Sequence, residues 1–143
     1  MGYRWYDAAG SAPQWAFGHG LSYSTFGYSA LTVAGAVGGG GGGGGATVYA
    51  TVCNTGGPAG AEVAQLYVGF PAAAGEPPKQ LKGFQKLSLA AGACGGVGFP
   101  LTAADLSVWD VAAQAWTLTP GRYTLSVGSS SRDVRLTGSL TVA

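Results

Sequence analysis

From residue 29 onward the chain consists of short stretches in which apolar and polar residues alternate, each bounded by glycine, proline or other turn residues. An alternation with a period of two residues is typical of β-strands, because successive side chains of a strand point to opposite faces. Strands are predicted over 30–34, 46–54, 62–70, 79–89, 97–101, 121–128 and 133–142. About seven short strands at this spacing predict an all-β fold, a two-sheet antiparallel sandwich of the immunoglobulin-like kind.

Three details of this pattern are specific enough to test. The clearest alternation, in residues 62–70, puts Ala64, Leu66 and Val68 on one face and Val63, Gln65 and Tyr67 on the other. Gly83 interrupts the alternation of 79–89, which indicates a bulge or bend in that strand. Thr102 precedes Ala103-Ala104-Asp105 and is expected to cap a single helical turn.

Residues 1–28 form a different kind of segment, here called the leader. It is rich in aromatic side chains, and glycines at 10, 18, 20 and 27 interrupt any helical or strand period. A flexible linker would lack the aromatic residues. The leader is therefore predicted to be an irregular but ordered segment that is pressed against a protein surface.

Residues 38–45 are eight consecutive glycines. Such a tract has no side chains to bury, so a disordered hairpin loop between the first two strands is expected. A long loop costs little stability, because its closure entropy grows only with the logarithm of its length, and a neutral insertion is the simplest interpretation. A phosphate-binding loop is the alternative, but neither Lys-Ser/Thr nor a helix follows the tract.

Composition narrows the classes of function. Charged residues make up 9% of the 143 residues, against about 25% in an average domain, so the surface is built from small residues or is partly covered by other protein. The net charge is +1, and no basic cluster predicts a nucleic-acid partner. Arg132 and Arg135 flank Asp133, which favours a solvated turn over a phosphate site. No apolar run is long enough to predict a membrane span, and the first residues lack the layout of a signal peptide.

Seven segments, in this order, resemble one known family, the family 3 glycoside hydrolases. Two of them, residues 2–7 (GYRWYD) and 17–26 (FGHGLSYSTF), resemble the segment that leaves the family's second, α/β-sandwich domain. The others resemble its fibronectin type III-like domain: NTG at 54–56, AGAEVAQLYV at 59–68, PPKQLKGF at 77–84, DLSVWD at 105–110 and VGSSSRD at 127–133. The residues at 76–81 (EPPKQL) and 129–133 (SSSRD) resemble those of β-glucosidases more than those of β-xylosidases. The resemblance implies that residues 1–28 are the tail of the α/β domain with a linker, and that residues 29–143 are the fibronectin type III-like domain.

The resemblance also implies a function. Members of the family are retaining enzymes that need two carboxyl groups about 5 Å apart. The family's nucleophile is an Asp of its barrel domain and its acid/base is a Glu of the domain before this segment, and neither motif occurs here. The expectation is therefore an accessory, non-catalytic C-terminal region whose partners are the parent's catalytic domains in cis. A β-glucoside would be met only through the parent, which is expected to be secreted or extracellular.

The chain departs from the family pattern in three ways. The octaglycine tract replaces a short turn, small residues (Gly95, Gly96 and Gly98) replace larger strand residues, and the chain starts inside the family's second domain. The last departure favours an internal start or a truncated gene model. Two other functions therefore stay open: a stand-alone carbohydrate-binding or adhesion module, and an inactive truncated remnant.

No catalytic, cofactor-binding or metal-binding residue is predicted in this chain. Glu62, Glu76, Asp105, Asp110 and Asp133 each fit a role in a strand, turn, cap or ion pair. His19, the one histidine, lies between two glycines, is expected to be a packed loop residue, and has no partner motif for a catalytic triad. Two cysteines do not make a metal site by themselves.

Two groups of aromatic residues leave alternatives. Trp5, Tyr6, Trp15 and Phe17 fit an interdomain seam, where aromatic side chains bury large areas at low entropic cost, or else a stacking platform for sugar rings. Trp109 and Trp116 are expected in the core of the sandwich or its lid.

The two cysteines lie at the end of one predicted strand and the beginning of another. In a sandwich of the kind that the resemblance implies, these two strands are antiparallel neighbours. A Cys53–Cys94 disulfide is therefore a hypothesis.

Overall fold

A computed structural model describes residues 2–38 and 44–143 of the chain. The leader contains a short helix, α1 (Tyr3–Ala8), and the rest is mainly strands, with a 3₁₀ turn at Ala72–Ala74 and one further helical turn, α2 (Ala103–Leu106). The strands are β1 (Phe26–Gly35), β2 (Ala46–Asn54), β3 (Gly60–Gly69), β4 (Gln80–Leu89), β5 (Cys94–Leu101), β6 (Ser107–Asp110), β7 (Ala115–Leu118), β8 (Gly121–Gly128) and β9 (Val134–Val142).

Seven of these strands form the predicted sandwich. One sheet has the order β1-β2-β5 and the other β4-β3-β8-β9, with every pairing antiparallel. The remaining two strands, β6 and β7, form a separate antiparallel hairpin. The all-β, two-sheet architecture expected from the alternation is thus confirmed.

The core lies between the two sheets and is built from the alternating apolar positions. Val48 and Val52 of β2 are fully buried, and so are Leu66 of β3 and Leu125 of β8. Truncation of such a side chain costs both its transfer free energy and a cavity, about 2–5 kcal/mol for a leucine. Ala64, Leu66 and Val68, which the alternation placed together on one face of β3, form its core face. Val97, Phe99 and Leu101 alternate along β5 and are also buried.

The predicted irregularity at Gly83 is present. Leu66 pairs with Gly83 and Tyr67 pairs with Leu81, so the register shifts by one residue and Lys82 is left over on β4. A Cβ atom at position 83 would lie 3.0 Å from the ring of Phe99 in the facing sheet. The absence of a side chain therefore lets the bent strand approach the core closely.

Two local predictions around the strands are also confirmed. The Thr102 side chain accepts a hydrogen bond from the Asp105 backbone N–H, and the Asp105 carboxylate accepts from the backbone N–H of Thr102, which makes a capping box at α2. Cys53 and Cys94 lie directly opposite each other on β2 and β5 and form a disulfide.

The structure corrects three expectations. The leader is not irregular throughout, because α1 fits before the first interrupting glycine, Gly10, whose positive φ of 64° follows the end of the helix. The first strand extends over Phe26–Gly35 rather than residues 30–34. Trp109 and Trp116 are not in the core: they pack on each other across the β6–β7 hairpin and are 47% and 69% exposed.

A disordered hairpin loop is the expectation for the glycine tract at 38–45. Residues 39–43 of this tract lie outside the described residues. In the part of the chain that the structure describes, no helix has the length and apolar character needed to cross a membrane.

Candidate functional surface

The leader packs on the outer face of the four-stranded sheet. Gln65 and Tyr67 point to the face of β3 opposite the core, where solvent would be expected, yet they are 4% and 0% exposed. The Tyr3 ring lies edge-on to Tyr67 at a centroid distance of 5.7 Å and stacks on Phe17 at 4.6 Å. Aromatic residues of the leader therefore cover the side of the sheet that faces away from the core.

A network of hydrogen bonds fixes this contact. The Gln65 Nε2 donates to the carbonyl oxygens of Gly18 (3.1 Å) and Ser129 (2.6 Å), and its Oε1 accepts from the Tyr67 hydroxyl. The Phe17 carbonyl accepts from the Ser131 backbone N–H at 2.8 Å. Burial raises the pKa of the Tyr67 hydroxyl well above its usual value, so the hydroxyl stays a hydrogen-bond donor even in alkaline solution.

Charged groups hold the leader at a second point. The Asp7 carboxylate, whose side chain is 8% exposed, lies 2.8 Å from Lys79 Nζ and 3.3 Å from Arg132 Nη2. The same Arg132 nitrogen donates to the carbonyl oxygen of Ser11 at 2.6 Å. The prediction of a solvated turn at 132–135 is therefore correct only in part: Arg135 pairs with Asp133, whereas Arg132 binds the leader.

Other parts of the leader leave apolar side chains open to the surroundings. Large apolar side chains between residues 5 and 23 are more than a third exposed, namely Trp5, Tyr6, Trp15, Phe17, Leu21 and Tyr23. His19 stacks on Trp15 at a centroid distance of 5.4 Å but is itself exposed, so the expectation that it is packed was wrong. We call the six exposed apolar residues of the leader, from Trp5 to Tyr23, the leader surface.

A polar groove of about 530 Å³ runs between the second half of the leader and β3. Four of the groups that line it are paired: Arg135 donates to Asp133, and the Tyr28 hydroxyl donates to Glu62 at 2.8 Å. The hydrogen bond from Arg135 lowers the pKa of Asp133, and burial together with Glu62 raises the pKa of Tyr28. The Tyr28–Glu62 contact joins β1 to β3, and Arg135 joins β9 to β1 by donating to the Phe26 carbonyl oxygen at 3.4 Å.

The six carboxylates of the chain each have a local partner. Asp7 and Asp133 form the ion pairs described above, Glu62 accepts from Tyr28, and Asp105 belongs to the capping box. Glu76 accepts from the Gln80 amide, and Asp110 accepts from the backbone N–H groups of Ala112 and Ala113 in the β6–β7 turn. Among the described residues, no group of three His, Cys, Asp or Glu side chains is arranged to hold a metal ion.

Comparison with known proteins finds a domain model and several β-glucosidases that are similar to this chain. The model of the fibronectin type III-like domain matches residues 62–131. The probable β-glucosidase L of Aspergillus terreus is 49% identical over 98% of this chain, and β-glucosidase cel3A of Pyricularia oryzae is 44% identical over 98%. The β-D-glucoside glucohydrolase of Trichoderma reesei superimposes with a TM-score of 0.89 at 44% identity over 99% of the chain. The Bifidobacterium adolescentis GH3 β-glucosidase gives a TM-score of 0.90 at 38% identity, again over 99%.

The chain belongs to the family 3 glycoside hydrolases and matches the fibronectin type III-like region of their β-glucosidases. The resemblance seen in the sequence motifs is thereby confirmed. The chain covers 21% of the Aspergillus terreus relative, 19% of the Pyricularia oryzae relative, and 22% and 20% of the two structures, so it spans about a fifth of their length. The matches to these relatives cover 98% or more of the chain, so they include the leader as well as the sandwich.

Sequence reasoning missed the residues that attach the leader to this fibronectin type III-like domain. The sequence does offer a signal for Asp7 as an attachment point, since it is the one acidic residue of a leader almost free of charge. Asn54 was assigned to a turn, but its side chain is 1% exposed and joins the leader to the sandwich by accepting from the Ser24 hydroxyl. Gln65 carries no sequence signal at all, because its partners are carbonyl oxygens at 18 and 129.

Proposed function

We propose that this chain is an accessory, non-catalytic C-terminal region of a retaining β-glucosidase, which packs on the catalytic domains of its parent and stabilises them. The observation that carries this proposal is the two-sided leader. One side is fixed to the sandwich by Asp7, Tyr3 and Gln65, and the other side presents the leader surface to its surroundings. A rigid apolar surface of this kind suits a permanent contact within one polypeptide.

The size of the leader surface supports an interdomain contact. An aromatic side chain buries about 150–250 Å² when it is fully covered. The five aromatic side chains of the leader surface are between about a third and fully exposed, and with Leu21 they offer several hundred Å². This area approaches the roughly 600–1,500 Å² of interfaces between domains of one chain. The low content of charged residues, 9%, is also what a partly covered surface requires.

The engagement of the carboxylates supports a non-catalytic role. Retaining hydrolysis of a glycoside needs a carboxylate nucleophile and a second carboxyl group about 5 Å away that acts first as acid and then as base. Each acid of this chain is instead used in a cap, a turn, a hydrogen bond or an ion pair. In the proposed parent, the barrel and α/β domains supply the two catalytic groups, and the natural substrate is a β-glucoside.

The proposal is tested in a full-length parent enzyme with two matched tryptophan variants. Trp15 and Trp116 are 68% and 69% exposed, so each can be replaced by alanine without opening the core. Trp15→Ala is expected to lower the thermal midpoint of the catalytic domains and to speed their inactivation on heating, whereas Trp116→Ala, outside the leader surface, leaves both unchanged. Equal midpoints for Trp15→Ala and the unaltered parent contradict the proposed docking role.

The genomic DNA upstream of the codon for Met1 separates this function from the two alternatives. An open reading frame in the same frame that encodes the barrel and α/β domains supports the accessory region. A stop codon close upstream supports a stand-alone carbohydrate-binding module or an inactive remnant. Exposed aromatic side chains favour the carbohydrate-binding alternative, both those of the β6–β7 hairpin and those of the leader, which the sequence also allowed as a stacking platform for sugar rings.

A further inference from the structure

The β6–β7 hairpin presents a pair of tryptophans that the sandwich core does not use. Trp109 and Trp116 lie directly opposite each other on the two strands, with ring centroids 5.7 Å apart in an edge-to-face arrangement. Both are substantially exposed, at 47% and 69%. The edge-to-face contact stabilises the hairpin, but it uses only part of each ring, and the exposed remainder is free to contact a ligand.

Beside the tryptophan pair lies a cleft of about 370 Å³. Its walls come from the hairpin, from α2, from the beginning of β4 and from the leader helix. The polar side chains that line it are Arg4, Glu76, Gln80, Lys82, Asp105 and Ser107. The cleft therefore combines two aromatic rings with a set of hydrogen-bonding groups drawn from four separate elements, which we call the hairpin cleft.

Several of these polar groups are held in place before any ligand arrives. Gln80 is 6% exposed, and its amide donates to the Glu76 carboxylate. Asp105 is fixed by the capping box with Thr102, and the Lys82 ammonium lies 5.3 Å from the centroid of the Phe70 ring. Pre-organised polar groups next to an aromatic platform bind a ligand at a smaller entropic cost than mobile ones.

The charges of the hairpin cleft indicate the chemistry of its ligand. Two cationic side chains, Arg4 and Lys82, are matched by two anionic ones, Glu76 and Asp105, so the formal charges cancel and neither anions nor cations are favoured. The cleft holds both donors and acceptors, and the Glu76 and Asp105 carboxylates keep lone pairs beyond those that Gln80 and Thr102 use, so the set suits hydroxyl groups, which donate and accept. A glucose-configured pyranose presents equatorial hydroxyls around its rim and apolar C–H faces that pack on an indole ring.

We propose that the hairpin cleft is a binding subsite for a neutral glucan chain, with Trp116 as the platform on which a glucose ring stacks. The choice of a glucan rests on the β-glucosidase parent proposed above, whereas the subsite itself goes beyond the accessory role, because the leader surface and the hairpin use different aromatic residues. It would hold a glucan on the fibronectin type III-like region itself, without any bond cleavage there.

Affinity electrophoresis of the 143-residue chain tests the subsite. Native gels are cast with increasing concentrations of hydroxyethyl cellulose, a soluble neutral glucan, and the dissociation constant is taken from the retardation. The unaltered chain is expected to be retarded, and Trp116→Ala to raise the dissociation constant by about tenfold, as expected for the loss of one stacked aromatic ring. Trp15→Ala, the equally exposed tryptophan of the leader, is the matched control and is expected to bind as the unaltered chain does.

Further arms make every result informative. Trp116→Tyr keeps an aromatic ring and is expected to retain most of the binding, which guards against a variant that simply misfolds. An unretarded native chain, or retardation that Trp15→Ala abolishes and Trp116→Ala does not, overturns the proposal. Stronger retardation by the anionic polymer polygalacturonate than by hydroxyethyl cellulose also overturns it, because the cleft would then select charge. None of these outcomes changes what the thermal midpoint of the full-length parent says about the accessory function.

Discussion

Gln65 on β3 and Gly18 in the leader are separated by 46 intervening residues, yet the Gln65 amide donates to the Gly18 carbonyl oxygen at 3.1 Å. The backbone at Gly18 has a φ of 78°, a conformation that favours glycine. A Cβ atom at this position would collide with the Gln65 side chain. The leader can therefore lie on the sheet only because position 18 has no side chain.

Gly18→Ala is expected to lower the free energy of unfolding by at least about 1–2 kcal/mol, the cost of a left-handed backbone at a residue with a Cβ. The collision with Gln65 adds to this cost and should loosen the leader. Urea unfolding gives the first effect, and limited proteolysis near Phe17 gives the second. Gly20→Ala is the matched control, since position 20 has no positive φ and a Cβ there would have nothing within 4 Å; similar losses for the two variants would contradict the role of Gly18.

Asp7→Asn is expected to weaken the attachment of the leader. The replacement removes the negative charge that Lys79 and Arg132 share, and the free energy of unfolding should fall by about 1–2 kcal/mol, since the Asp7 side chain is largely buried. The control is Asp110→Asn, which keeps an oxygen that accepts from Ala112 and Ala113 in the hairpin turn. If urea unfolding shows the same change for both variants, the clamp at Asp7 contributes nothing specific.

Reduction of the Cys53–Cys94 disulfide is expected to lower the free energy of unfolding by about 2–4 kcal/mol, because the bond closes a long loop in the unfolded chain. The two cysteines are 41 residues apart in sequence. Urea unfolding with and without reductant measures the effect, and the double variant Cys53→Ala, Cys94→Ala should not respond to reductant. Alkylation followed by mass measurement checks the bond directly, and two free thiols in protein that has not been reduced would refute it.

Ala30→Gly is expected to raise the free energy of unfolding by about 0.5–1 kcal/mol, the net of relieving a left-handed residue and of the greater freedom of glycine in the unfolded chain. Ala30 has a φ of 55° at the point where the register between β1 and β2 shifts. Ala34, exposed on the same strand and without a positive φ, is the control: Ala34→Gly should destabilise the protein. A loss of stability in Ala30→Gly would mean that the side chain at position 30 outweighs the backbone term.

The purified chain is expected to show no turnover of an aryl β-glucoside, because its acidic side chains are committed to local structure. Release of the phenol is followed by absorbance at protein concentrations high enough to detect a very slow reaction. Turnover that disappears on replacement of Glu62, Glu76 or Asp110 would establish catalysis by this chain and end the non-catalytic interpretation. Turnover that survives all three replacements would point to a contaminating enzyme.

The sequence by itself determined the approximate positions of the seven sandwich strands and, within β2, β3 and β5, which residues share a face. Alternation in β2, β3 and β5 marks the core positions, because a strand buried on one face requires apolar residues at every second position. The cap at Thr102 and the bend at Gly83 were also predictable, because each follows from residues that are neighbours in the chain.

Only the tertiary structure decided which residues are covered outside the core. Tyr67 and Gln65 occupy positions on the face of β3 opposite Ala64, Leu66 and Val68, and they are buried because the leader lies over them. Trp109 and Trp116 look like core residues by composition, but the hairpin that carries them lies outside the two sheets. Contacts between segments far apart in the chain are not encoded in any local period, so the leader clamp and the hairpin cleft appear only when the sheets are assembled.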